Sequence, residues 1–69
     1  MGGKQRVQAV LDEIRRTVAE AAGSRSSLSV ESEASRLARR HPTALIPLHE
    51  VRRQLIEMAA EQHVRLETA

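Results

Sequence analysis

A chain of 69 residues makes one domain at most, and one this short buries only about 60% of the surface that its unfolded form exposes. The absence of Cys excludes disulfides, and the absence of Phe, Tyr and Trp removes base stacking as a way of reading single-stranded nucleic acid. The basic pI of 10.4 arises because ten of the eleven basic residues are Arg; the net charge is only +2, with +3 on residues 1–41 and −1 on residues 42–69, which is not a polybasic arm.

The first element is a helix from about Lys4 to Ala22, with Gly23 placed where a left-handed C-terminal cap would sit. Val7, Leu11, Ile14 and Val18 are spaced four, three, four and write a narrow apolar stripe, joined on the same face by Val10 and Ala21. Asp12, Glu13, Arg16 and Glu20 are expected on a solvated opposite face, with Asp12 and Arg16 in the favourable acid-first order. Ser24-Arg25-Ser26-Ser27 then reads as a polar connector, and Ser27 or Ser29 suits the cap of a second helix.

That helix covers residues 29–40 and presents Val30, Ala34, Leu37, Ala38 and His41 on one side; Pro42 ends it. His41 is expected to be a packed or helix-terminal histidine. Residues 42–46 form a connector whose Leu45 and Ile46 are expected to tuck under a third helix, 47–63, opened by Pro47. Leu48, Val51, Leu55, Met58 and Ala59 make the main stripe of this helix, with Ile56 and Ala60 beside it. The tail, residues 64–69, alternates apolar and polar over Val64-Arg65-Leu66-Glu67, a pattern compatible with fraying or with a short strand. There is no internal repeat, no apolar run near the roughly 20 residues of a membrane span, and no hydrophobic core of signal-peptide type at the start. Arg6 stands where a myristoylated N-terminus needs a small hydroxyl residue. A cytoplasmic protein without membrane contact is expected.

Few residues suggest chemistry. His41, His49 and His63 are the only histidines; His49-Glu50-Val51-Arg52-Arg53 starts like a zinc-protease helix, but Arg53 occupies the place of the second histidine ligand. No metal or other cofactor is expected. The serines cluster in a connector with no base close in sequence, and a three-helix chain of this size rarely encloses a substrate pocket, so neither enzymatic activity nor a small-molecule substrate is expected.

The expected architecture is therefore all-α: a single domain over residues 1–69, built as a small three-helix bundle completed by homodimerisation. Val7, Leu11, Ile14 and Val18 are the expected dimer interface. The function that fits is a non-enzymatic interaction or regulatory module that presents a helical surface to another protein, through Leu28, Ile56, Ala60 and the Leu66 tail. The alternative is a DNA-binding regulator of helix-turn-helix type. In it His49, Arg52 and Arg53 reach base edges while Arg36, Arg39 and Arg40 hold the backbone. Against the alternative stand a connector longer than the usual three to four residues and the acids Glu50, Glu57 and Glu61, which meet phosphates unfavourably. Arg36 and Arg40 are like charges one turn apart, and Glu33 is placed to offset Arg36.

Overall fold

The computed structural model describes residues 2–67; Thr68 and Ala69, the end of the expected tail, lie outside them. Along the chain the elements are α1 (Gly2–Ser24), β1 (Leu28–Ser29), α2 (Val30–Arg40), α3 (Leu48–Glu61) and β2 (Leu66–Glu67). The three expected helices are present, and a two-stranded sheet joins them. With 23 residues rising about 1.5 Å each, α1 sets the longest dimension of a molecule measuring 36 × 22 × 16 Å.

The helical periods place one apolar face of each helix in a common core. Val10, Ile14, Val18 and Ala21 come from α1, Ala34 and Leu37 from α2, and Val51, Leu55 and Ala59 from α3; Leu28 and Val64 close it from the strand side. Helix α3 packs against both α1 and α2, and the three buried alanines permit close approach. Two members of the expected dimer stripe, Ile14 (0% exposed) and Val18 (1%), are thus occupied by the chain's own α2 and α3. Val7 and Leu11 are half-buried, so in this arrangement only they remain within reach of a second copy.

Local chemistry fixes the helix boundaries. The Ser29 hydroxyl accepts from the Ser32 N–H at 3.4 Å, Glu31 and Glu33 lie in the first turn of α2, and Arg39 and Arg40 lie in its last, each sign matching the helix dipole. His41 closes α2, its N–H donating to the Leu37 carbonyl at 3.0 Å. Pro47 sits one position earlier than expected, capping α3 while its carbonyl accepts from Glu50 and Val51.

Helices α1 and α3 end alike. At α1 the Ser26 N–H bonds the Ala21 carbonyl at 2.9 Å and the Arg25 N–H bonds Ala22 at 3.4 Å; at α3 the Val64 N–H bonds Ala59 at 2.8 Å and His63 bonds Ala60 at 3.3 Å. The reversing residues are Arg25 (φ 56°) and His63 (φ 58°), left-handed positions that cost a non-glycine residue about 1–2 kcal/mol. Gly23, expected to cap α1, instead lies inside it with no positive φ, because the helix runs on to Ser24. A Cβ on Gly23 would meet nothing within 4 Å. Gly23→Ala is accordingly expected to raise stability by about 0.5–1 kcal/mol, read from the midpoint of urea unfolding.

Each of these caps leads into a strand. Leu28 pairs with Leu66 and Ser29 with Glu67 in parallel register, and the Leu28 N–H donates to the Arg65 carbonyl at 2.9 Å. Parallel strands need a crossover, which the α2–α3 pair supplies. The Ser27 hydroxyl adds a 2.7 Å bond to Glu67. Leu28, expected to be exposed, is therefore buried at 7%, and Leu66 is packed against the core; neither belongs to an open binding surface.

Candidate functional site

Two of the three arginines of α2, Arg36 and Arg40, meet a single carboxylate on α1. Glu13 accepts from Arg36 at 3.0 Å and from the His41 Nε2–H at 2.9 Å, and it pairs with Arg40 at 3.3 Å. Its side chain is only 13% exposed, in place of the solvated position expected. Arg36 also holds Glu33 at 2.6 Å and donates to Thr17 at 3.2 Å. The hydrogen bond from His41, with those from Arg36 and the charge of Arg40, keeps the Glu13 carboxyl below its ordinary value against an opposing push from burial. The pairing of Arg36 with Glu33 follows the sequence expectation; the long-range partner does not. Asp12, expected to meet Arg16, lies 3.8 Å from Arg15 and accepts from Gln8 at 3.0 Å.

Helix α3 treats its cations similarly. Arg52 reaches across to Glu31 of α2 at 3.1 Å. Arg53 bonds Glu50 within its own helix and Glu57 at 2.6 Å, and Gln54 donates to Glu50 at 3.1 Å. Those bonds, Arg53 first, pull the Glu50 carboxyl down to about 2 and raise the Arg53 guanidinium further. Of the six residues of the DNA alternative, Arg36, Arg40, Arg52 and Arg53 are thus neutralised within the chain. Arg39 and His49 are exposed and make no side-chain hydrogen bond or ion pair among the described residues.

Unpartnered apolar surface gathers around the α2–α3 connector. Leu45 is 79% exposed, contrary to the expectation that it tucks under α3; Ile46 does pack on the core. Ala44 and Ile46, the neighbours of Leu45, line an open notch of about 150 Å³ together with Val10, Leu37, His41, Leu48 and Val51. Leu48 is partly exposed, as is Ile56 two turns further along α3. Ala60 is exposed as expected. An apolar dipeptide held between Pro42 and Pro47, too short to enter the core at both residues, was the available sequence signal for Leu45.

The hydroxyls serve local structure: Ser24 donates to the Glu20 carbonyl, Ser27 to Glu67, and Ser29 caps α2. Among the described residues no three His, Asp or Glu side chains converge as metal ligands, and no helix is long and apolar enough to cross a membrane. Comparison with known proteins finds no matching family model, no similar curated protein and no similar solved structure.

Proposed function

We propose that the chain is a non-enzymatic cytoplasmic interaction module that acts as a homodimer through the connector end of the bundle. The observation that carries this reading is Leu45, 79% exposed and flanked in sequence by Ala44 and Ile46, which line a notch at this end of the bundle. A volume of about 150 Å³ is that of a site for a benzene-sized group, so the notch has room for a leucine side chain. Knob and hole on one surface suit an isologous pair in which Leu45 of each copy enters the notch of the other. Val7 and Leu11, one turn before and one residue after Val10 in α1, are half-buried and leave further apolar surface for a second copy. Light scattering over a dilution series is expected to give a dimer for the native chain and a monomer for Leu45→Ser, with helicity unchanged because Leu45 contributes nothing to the core. A native chain that is monomeric at every concentration, or a Leu45→Ser variant that still dimerises, overturns the proposal.

DNA binding is the second reading, favoured by the packing of α2 on α3 and by exposed His49 and Arg53 on the first turns of α3. It requires affinity for duplex DNA to fall with salt by about one log–log unit per phosphate contact, and Arg39→Ala to flatten that slope. Salt-independent binding, or none, removes it. The internal pairing of four of its six residues makes it the weaker reading.

A further inference from the structure

We infer that the open notch between the C-terminal ends of α1 and α3, at the strand end of the molecule, binds a phosphate group. Arg25, His63 and Arg65 line this hollow of about 450 Å³, and no carboxylate does. None of the three makes an ion pair among the described residues.

The backbone supplies an independent observation. Arg25 and His63 are the only non-glycine residues with positive φ among the described residues, and both line this notch from points 38 positions apart in sequence. Glycine would reverse either helix at less cost. Conformational strain that recurs at two converging cationic positions points to a use for the side chains themselves.

Helix dipoles alone do not account for the charge. Each C-terminus carries about −0.5, so the two together offset roughly one of the two guanidinium charges, and net positive charge remains even with His63 neutral. The carbonyls of Ala21, Ala22, Ala59 and Ala60 are already capped by backbone N–H groups. Nor are the neighbouring hydroxyls free to serve: Ser24 donates to Glu20, which leaves Ser26 as donor to Ser24, and Ser27 donates to Glu67. The side-chain donors left for a ligand are two guanidinium forks, an imidazole and the Gln62 amide, all lining one hollow. That set matches the several oxygens of a tetrahedral dianion better than a planar carboxylate, which a single fork satisfies.

The test is an amide-shift titration of the full chain with inorganic phosphate at constant ionic strength, repeated with a nucleoside monophosphate. Saturable shifts confined to residues 24–28 and 62–66 are expected, and they should vanish in an Arg25→Gly, Arg65→Ala double variant. That variant stays folded, because glycine relieves the left-handed position: the thermal midpoint of Arg25→Gly in chloride should rise. Equal affinity for the two ligands identifies the phosphate group alone as what is recognised; nucleotide binding tighter by about tenfold or more means the notch also holds the rest of the molecule. Non-saturating shifts, or shifts that persist in the double variant, overturn the inference.

Discussion

Leu55→Ala is expected to destabilise the protein by about 2–5 kcal/mol, enough to unfold a large fraction of a domain this small at room temperature. Leu55 is 1% exposed at the middle of α3, the helix that contacts both others, and it is among the largest fully buried side chains. Its removal takes away transfer free energy and leaves a void that α1 and α2 cannot both close. The neighbouring Ile56, 46% exposed, is the internal control: Ile56→Ala should cost less than about 1 kcal/mol. Urea unfolding followed by circular dichroism separates the two. Similar losses at both positions would mean that α3 buries Ile56 as deeply as Leu55.

Glu13→Ala should cost about 1–3 kcal/mol near neutral pH, the second largest effect, because it leaves Arg36, Arg40 and His41 crowded without their common acceptor. The upper end of that range is discounted by the exposure of the guanidiniums, 36% for Arg36 and 62% for Arg40. The network also has a pH signature. A carboxyl held below its ordinary value near 4.5 binds its proton more weakly in the folded chain than in the unfolded one. Its stabilisation is present above that ordinary value and is lost as pH falls through the lowered one. Subtracting the acid-unfolding curve of Glu13→Gln from that of the native chain should therefore leave a positive difference at neutral pH that shrinks below about 4.5. A flat difference would show that Glu13 is not engaged by its partners in solution.

The two residues mark what is and is not legible in this sequence. Leu55 belongs to a stripe with Val51 and Ala59 that repeats every four residues, and a helical period alone assigns such a position to the core. Glu13 carries no such signal. Its partners lie 23 and 28 residues away, and only the angle between α1 and α2 brings it to them. In hindsight Glu13 stands next to Ile14 and one turn from Val10, at the border of the apolar stripe rather than opposite it. The sheet is half legible: the alternation Val64-Arg65-Leu66-Glu67 is compatible with the short strand found at Leu66–Glu67, whereas its two-residue partner Leu28–Ser29 carries no signal of its own. Gly23 misled because glycine is the commonest left-handed cap, whereas the reversal falls on Arg25 and is set by where the connector must turn toward Leu66. Leu45 has the hydropathy of an interior residue, yet of its connector only Ala44 and Ile46 pack on the core and Leu45 stays in water.

The pairing of Leu28 with Leu66 works as a clasp: everything from α2 to the end of α3 is a closed loop fastened at its base. The entropy of fastening such a loop grows only with the logarithm of its length, so doubling it costs about 0.6 kcal/mol. Residues inserted into the connector around Leu45, at the far end from the clasp, would barely loosen it. The fold thus tolerates a longer connector at one end at little cost to the clasp that fastens the other.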